Sequence, residues 1–239
     1  MTDLKTKWLP LAAVVASLWG GGMTGAQAAQ ISLTLDTEFS GASMPSNTYK
    51  AVFDDGICGT DCVRLTMSIT GSNTNEFIGD TQNNFGWGFN FDPMKTLGSL
   101  IFTGISGNLA DIIAISTDAY KADGNGFYDF VFGWSNRGDG GRLNAGETAV
   151  YDITGISGLK AVDFKFLSAC PDGQTCGNGS WLSAAHVQGI GSTTNDSGWI
   201  GDDEVDNGTP PQEVPEPGPL SLVGLGLMGL WFARRKTSA

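Results

Sequence analysis

Residues 85–91 read Phe-Gly-Trp-Gly-Phe-Asn-Phe, so aromatic side chains alternate with glycine or asparagine at every second position. Successive side chains of a β-strand point to opposite faces, which places the four aromatic rings on one face. The same alternation of apolar residues occurs at residues 128–134 and 162–166. These three stretches therefore predict strands that each bury one face.

Further apolar runs are short and are separated by loops that contain Gly, Asn or Asp. They lie at residues 31–38, 63–70, 100–104, 111–116, 148–154 and 181–188. No stretch of the body has the periodicity of an amphipathic helix. The pattern predicts an all-β domain built as an antiparallel β-sandwich of jelly-roll type.

The first 28 residues have the composition of a secretory signal peptide. Lys5 and Lys7 are positively charged, residues 8–19 are apolar, and Ala26 and Ala28 form a small-x-small cleavage site. We expect export machinery of the Sec type to recognise residues 1–28, so that the mature chain begins at Ala29.

The chain ends with an uncharged apolar segment, residues 218–233, followed by the basic residues 234–236. An apolar span with cations behind it predicts a transmembrane helix whose basic end stays in the cytoplasm, although the span is short for a bilayer. Pro215, Glu216 and Pro217 come directly before it.

The Pro-Glu-Pro sequence, the short Gly/Leu-rich span and the basic cluster that begins with Arg234 and Arg235 together resemble the PEP-CTERM sorting signal of Gram-negative bacteria. The resemblance covers residues 214–239. It implies a precursor anchored in the inner membrane, processing by exosortase near Pro217, and a final position at the cell surface or outside the cell.

Between the two terminal segments we expect an ectodomain, residues 29–200, and an acidic linker that contains proline, residues 201–213. Over residues 29–213 there are 8 Lys and Arg, which is 13 minus five in the termini, and 23 Asp and Glu, which is 25 minus two. The net charge of −15 repels nucleic acid and anionic lipid and favours cations or uncharged partners.

Four cysteines form two close pairs, Cys58 with Cys62 and Cys170 with Cys176. Because an exported chain meets an oxidising compartment, the spacing predicts two local disulfides. A zinc site is the alternative, but neither spacing is that of a zinc knuckle.

We find no catalytic constellation in the sequence, which predicts a protein that is not an enzyme. His186 is the single histidine and lies between small and apolar residues. A serine or cysteine nucleophile would have to use it, whereas a structural histidine on a strand is the interpretation we favour. Paired carboxylates for glycoside hydrolysis stay open, because sequence spacing does not give their separation in space.

Asp123, Asn125 and Asp129 are the candidates for a Ca²⁺ site, because oxygen ligands alternate there on a glycine-containing loop. The EF-hand pattern fails in this loop, and a tight turn that leads into a strand is the interpretation we favour. Asp202, Asp203 and Glu204 form a second acidic cluster.

Two further features bear on the fold. The sequence Thr-Gly-Ile-Ser-Gly occurs at residues 103–107 and again at 154–158, and we read both copies as turns between strands. Residues 184–188 and 197–200 resemble segments of the ectodomains that precede PEP-CTERM tails. Trp181 and Trp199 are core aromatics or a platform for sugar stacking, and core is the expectation.

Two functional hypotheses remain. The first is a non-enzymatic surface or extracellular-matrix protein, associated with exopolysaccharide or a biofilm, with exosortase as its processing partner. The second is a secreted glycan-active hydrolase or a carbohydrate-binding module. A groove with exposed tryptophan and two carboxylates would favour the second.

Overall fold

A computed structural model of the chain describes residues 29–41, 43–79, 85–123, 126–135, 141–177, 180–191 and 196–202. Nearly all regular structure in these ranges is β-strand, which confirms the predicted all-β class. The strands are β1 Gln30–Leu35, β2 Thr37–Gly41, β3 Thr48–Asp54, β4 Val63–Thr70, β5 Phe77–Ile78, β6 Trp87–Phe89, β7 Ile101–Gly107, β8 Ile112–Lys121, β9 Phe127–Gly133, β10 Leu143–Asn144, β11 Thr148–Thr154, β12 Ser183–Ile190 and β13 Asp196–Asp202.

The strands form two antiparallel sheets. The five-stranded sheet has the order β1-β3-β4-β11-β7. The eight-stranded sheet is organised around β12, which pairs with β13 along one edge and with β6 and then β5 along the other. Beyond these, β9 and β8 follow β6, β10 follows β5, and β2 pairs with β13.

The main core of the protein takes side chains from both sheets. In β4 every second residue from Val63 to Ile69 is fully buried, as the period-two rule requires. The eight-stranded sheet contributes Trp87 and Phe89 from β6 and Phe130 and Phe132 from β9. These four rings confirm the buried face predicted from the aromatic alternation. The sandwich and jelly-roll arrangement stays a prediction.

A second, smaller cluster lies on the opposite face of the eight-stranded sheet, and we call it the aromatic cluster. Val131 belongs to it, whereas its neighbours Phe130 and Phe132 belong to the main core. The members are Phe85, Ala122, Tyr128, Val131, Trp181 and Ala184, with Phe39, Ala114, Tyr120 and Trp199 packed against them. The sheet therefore buries side chains on both of its faces.

Two aromatic residues lie on a different face from the predicted one. Phe85 was expected beside Trp87 but packs in the aromatic cluster, because it precedes β6 and does not follow the strand alternation. Tyr128 was expected beside Phe130 but also packs there. It lies where the register between β8 and β9 shifts, between Ile115 and Tyr120.

The predicted strand at residues 162–166 is wrong, because Ala161–Phe164 is a 3₁₀ turn. The Asp163 carboxylate accepts a hydrogen bond from the Lys160 N–H (2.8 Å), and the Asp163 N–H donates to the Lys160 carbonyl (3.1 Å). These local bonds close the turn. Phe164 is nevertheless buried, stacked on Phe53 with ring centroids 4.5 Å apart.

The turn predicted at residues 103–107 is also wrong, because these residues lie within β7. Gly104 lies close to Leu109: a Cβ at Gly104 would be 2.4 Å from Leu109 Cδ1, so the Leu109 side chain would have to move. The second copy of the motif does form a turn after β11, with Gly155 and Gly158 at positive φ.

The last described strand runs past the predicted start of the linker at residue 201. β13 continues to Asp202, so Gly201 and Asp202 belong to the sheet. Both residues are buried, and the Asp202 carboxylate accepts a hydrogen bond from the Thr34 N–H at 2.8 Å. Asp202 is thus part of the fold and does not extend the acidic cluster.

Candidate functional site

A cleft of about 450 Å³ lies beside the start of β9 and is within the size range of small-ligand sites. Its lining comes from four separate stretches of chain. It combines four charged residues with an apolar wall, and these residues are Asp92, Lys95, Asp118, Asp129, Phe91, Leu97, Phe166 and Leu167. Charged groups that converge on an apolar wall make this cleft the candidate site.

Asp129 is fixed in the cleft by two backbone groups. Its Oδ2 accepts a hydrogen bond from the Phe91 N–H and its Oδ1 from the Asp118 N–H, both at 2.9 Å. The side chain is only 8 % exposed. Both oxygen atoms are therefore held in place, and the carboxylate joins β9 to the chain after β6 and to β8.

Asp118 has the more unusual environment. Its backbone has a φ of 47°, in the left-handed region that a non-glycine residue rarely adopts. Burial raises the pKa of its carboxyl group, and the negative charge of Asp129 raises it further. Aspartate adopts a positive φ more readily than most residues, but a carboxyl group with a perturbed pKa in a cleft marks a functional-site candidate, so Asp118 is the leading candidate for proton transfer or ligand binding in the cleft.

Lys95 is the one cation in this lining, and it is already paired. Its Nζ forms an ion pair with the Asp163 carboxylate and donates to the Gly158 carbonyl at 3.1 Å. The charge of Lys95 is therefore balanced by Asp163, which does not line the cleft. The remaining charge in the cleft is negative and suits cations or hydroxyl donors.

Two carboxyl groups in unlike surroundings are the arrangement from which acid–base pairs are made. Asp118 would hold its proton to a higher pH than an ordinary aspartic acid, while Asp129 receives two N–H donors. The same groups can equally accept hydrogen bonds from the hydroxyls of a bound sugar. The described lining contains no tryptophan, so one half of the predicted hydrolase groove is missing.

The predicted Ca²⁺ ligands are only partly described. Asp123 accepts a hydrogen bond from the Ser40 hydroxyl, and Asp129 binds the two backbone groups above. Asn125 lies outside the described residues. Oxygen is the ligand that Ca²⁺ prefers, but at Asp129 an ion would share the carboxylate with N–H donors. The Ca²⁺ site stays a prediction.

His186 lies in β12, as predicted for a structural histidine on a strand. Its ring contacts the Trp199 ring at 4.9 Å between centroids, and its Nδ1 is buried without a hydrogen-bond partner. Burial lowers the pKa of His186, and the negative charge of Asp123 opposes this effect. Among the described side chains, no serine or cysteine is hydrogen-bonded to the imidazole.

Both predicted cysteine pairs are disulfide-bonded, with Cα–Cα distances of 5.6 Å for Cys58–Cys62 and 5.9 Å for Cys170–Cys176. Asp152 lies near the first pair, but its carboxylate forms two hydrogen bonds with Arg64, at 2.7 and 3.0 Å. Sulfur atoms that are bonded to each other do not act as zinc thiolates. The disulfide prediction is confirmed.

The residues predicted for sorting and cleavage lie outside the described ranges. They are Ala26, Ala28, Pro215, Glu216, Pro217, Arg234 and Arg235, together with the predicted span 218–233. In the part of the chain that the structure describes, no helix has the length and apolar character needed to cross a membrane.

Sequence reasoning missed the cleft and the aromatic cluster as units. The cleft joins residues 91–98, 117–118, 129 and 166–169, which no local pattern connects. For the aromatic cluster a weak signal existed, because Gly86 and Gly88 share the strand face opposite Trp87, and such glycines leave room for rings. A Cβ on Gly88 would lie 2.4 Å from Phe85 Cζ.

The fold and the cleft together define an all-β domain with a negatively charged ligand-sized site. The PEP-CTERM protein-sorting motif matches residues 213–236, so the chain carries the sorting signal that the terminal residues predicted. The motif indicates an exported protein that exosortase sorts to the cell surface or the exterior. No curated protein and no solved structure matches the chain.

Proposed function

We propose that this chain is a non-enzymatic protein of the cell surface and extracellular matrix that associates with exopolysaccharide. The sorting motif at residues 213–236 is the observation that carries the proposal. As a group, PEP-CTERM proteins look like proteins that act together with exopolysaccharide-producing systems. An acidic all-β domain, stapled by two disulfides, suits work outside the cell.

The charge of the domain limits how it binds a polymer. At physiological ionic strength, repulsion between like charges is screened beyond roughly 8 Å but not at contact. A net charge of −15 therefore favours uncharged sugars, or an anionic polymer bridged by a divalent cation. Asp123, Asn125 and Asp129 are the proposed Ca²⁺ ligands for such a bridge.

Retention in the matrix tests this function. The exported protein is mixed with exopolysaccharide extracted from the producing bacterium, with millimolar Ca²⁺ or with a chelator. We expect retention in both conditions through uncharged sugars and an increase with Ca²⁺, which Asp123→Ala reduces and the exposed control Glu38→Ala does not. No retention in either condition would contradict the proposal.

We further propose the route by which the protein arrives. A signal peptide of residues 1–28 directs it to the Sec machinery of a Gram-negative bacterium, and the segment 218–233 anchors the precursor in the inner membrane. Exosortase then removes the anchor close to Pro217. Intact mass of surface material should show a chain that starts at Ala29 and ends near Pro217, and a chain that still ends at Ala239 would contradict this route.

A second candidate, a glycan-active hydrolase, rests on the raised pKa of Asp118 beside Asp129 in one cleft. Release of reducing ends from the extracted matrix tests it, with Asp118→Asn as the inactive variant and the exposed Glu38→Gln, outside the cleft, as the control. Activity that survives in Asp118→Asn would remove Asp118 from this role.

A further inference from the structure

Two residues of the aromatic cluster, and His186 whose ring contacts Trp199, carry buried polar atoms that have no hydrogen-bond partner. They are Trp181 Nε1, His186 Nδ1 and Tyr128 Oη. Trp181 is only 6 % exposed, and Tyr128 is fully buried. Burial raises the pKa of Tyr128, and the nearby Ser168 side chain opposes this rise.

Such atoms are rare in folded proteins, where the large majority of buried polar groups have a protein or water partner. Each one left unpaired loses the hydrogen bond that it would make with water. The unpaired nitrogen atoms of Trp181 and His186 lie on residues that are connected through the Phe39 and Trp199 rings, and they point to a hydrogen-bonding molecule at this place. The molecule must offer more than one hydroxyl-like group.

The aromatic rings of the cluster supply an apolar surface beside these polar atoms. Phe39 stacks between Trp181 and Trp199, with centroid distances of 5.2 and 6.3 Å. Room for this stack comes from Gly201, where a Cβ would lie 2.8 Å from Trp181 Cε3 and 3.2 Å from Phe39 Cε1. Phe39 and Trp199 are themselves only partly buried. They form the outer border of the cluster.

The negative charge around the cluster limits the kinds of ligand that can bind there. Asp123 accepts a hydrogen bond from the Ser40 hydroxyl, and its negative charge acts on the His186 ring. A carboxylate beside the site, in a domain of net charge −15, repels an acidic ligand. An uncharged polyol avoids this repulsion and can donate hydroxyl hydrogen bonds to the carboxylate and to an unprotonated imidazole nitrogen.

We propose that the aromatic cluster binds an uncharged sugar unit of a polysaccharide. Pyranose rings have an apolar face that stacks on Trp199 and Phe39, while their hydroxyls pair with Trp181 Nε1 and His186 Nδ1. The inference rests on the proposed matrix function and names the class of sugar. Because neither nitrogen atom is exposed here, binding requires a displacement of Phe39 or Trp199, the two partly buried rings beside them.

Titration of the full chain with uncharged hexasaccharides tests the site. Cellohexaose, maltohexaose and mannohexaose are the probes, polygalacturonate is the charged comparison, and the readouts are calorimetry and tryptophan fluorescence. We expect one uncharged probe to bind saturably. Trp181→Phe, which keeps a ring and removes the N–H, should raise its Kd about fivefold to tenfold, the loss of one hydrogen bond. Trp199→Ala should raise it at least as much.

Lys50→Ala, an exposed residue of β3 in the five-stranded sheet and outside both the cluster and the cleft, is the control and should leave the Kd unchanged. Saturable binding that Trp181→Phe and Trp199→Ala leave intact would overturn the proposal, as would the absence of binding to every uncharged probe. Retention in the extracted matrix separates the two levels of inference. If Trp199→Ala is retained like the parent chain, the sugar site fails and the matrix function stands.

Discussion

The main core and the aromatic cluster contain the same residue types but differ in the hydrogen bonding of their buried polar atoms. In the main core, Trp87 Nε1 donates to the Ser183 hydroxyl and Trp134 Nε1 to the Asn108 carbonyl, both at 2.9 Å. In the aromatic cluster, the indole N–H of Trp181 has no acceptor. Burial of an aromatic ring therefore does not distinguish a structural residue from a ligand-binding one. The presence or absence of a hydrogen-bond partner for its polar atom does.

Tyrosine repeats the contrast. The Tyr49 hydroxyl donates to the Glu76 carboxylate at 3.2 Å, and the Tyr151 hydroxyl accepts from the Ala110 N–H at 2.5 Å. Burial raises the pKa of Tyr151 to about 12. Tyr128 is buried as completely as Tyr49, but its hydroxyl lies near the Ser168 side chain and, among the described residues, makes no hydrogen bond to a carboxylate or to the backbone. The main core thus pairs its polar atoms, and the aromatic cluster leaves them open to an added molecule.

The largest effect should come from a cavity in the main core. Phe89 is fully buried and contacts the rings of Phe53 and Phe130 at 5.4 and 5.6 Å. Phe89→Ala should lower the free energy of unfolding by about 3–5 kcal/mol. Phe39→Ala, at the outer border of the aromatic cluster, should lower it by only about 1 kcal/mol. Urea denaturation measures both free energies of unfolding. Equal losses would contradict the distinction between the main core and the aromatic cluster.

Glu76 offers the next effect, because its buried carboxylate accepts hydrogen bonds from five donor atoms. These are Ser46 N, Ser46 Oγ, Asn47 N, Tyr49 Oη and Asn73 Nδ2, at 2.7–3.2 Å. Glu76→Ala should cost about 3 kcal/mol of stability, since the donors lose a charged acceptor. The exposed control Glu38→Ala should change it by less than about 0.5 kcal/mol.

The same residue gives a pH dependence. Burial raises the pKa of Glu76, but the hydrogen bonds from Ser46, Asn47 and Tyr49 outweigh it, so that the net pKa is lowered. A lowered pKa stabilises the fold above the pKa of the unfolded state and loses this contribution as the pH falls through the folded value. Stability of Glu76→Ala should therefore fall less on acidification than that of the parent chain.

A conservative pair of substitutions compares the two indole N–H groups directly. Trp87→Phe removes a satisfied donor from the main core and should cost about 1–2 kcal/mol beyond the small change in packing. Trp181→Phe removes a donor that has no partner and should change stability by less than about 0.5 kcal/mol, or raise it. Thermal or urea unfolding decides the order, and a larger loss for Trp181→Phe would show that its N–H is paired in solution.

The smallest expected effect concerns His186. Burial lowers its pKa, opposed by Asp123, so the folded protein takes up the proton at lower pH than the unfolded chain. Stability should be complete above the pKa of the unfolded state and should decrease as the pH falls through the folded value. His186→Gln should flatten this decrease between neutral and mildly acidic pH. An unchanged slope would place the titration elsewhere.

Much of the fold could be predicted from period-two patterning, because it reports directly on burial in a strand. Phe130 and Phe132 lie on the predicted face for that reason. The prediction failed where a local bond opposed the pattern, as at the turn closed by Asp163, and where the strand alternation did not hold, as at Phe85. The predicted turn at Gly104 was also wrong, because this glycine lies within β7 and close to Leu109.

The site was less accessible to sequence reasoning. The carboxylates of Asp118 and Asp129 are 11 residues apart, and both line a cleft whose walls come from distant parts of the chain. The environment of Asp118 depends on a register shift between β8 and β9 that no spacing reveals. By contrast, the disulfides join neighbours in sequence, and the sorting signal is a contiguous motif, so both could be predicted.

The pairing of β2 with β13 sets the order in which the domain can assemble during export. β2 pairs with β13 alone, and the Asp36 N–H donates to the Gly201 carbonyl at 3.2 Å. An exported chain emerges from its amino end, so β2 has no strand to pair with until β13 has crossed the membrane. Contacts of such long sequence separation form slowly. On the proposed export route, completion of the domain therefore coincides with the export of the sorting signal, which begins at residue 213, shortly after β13.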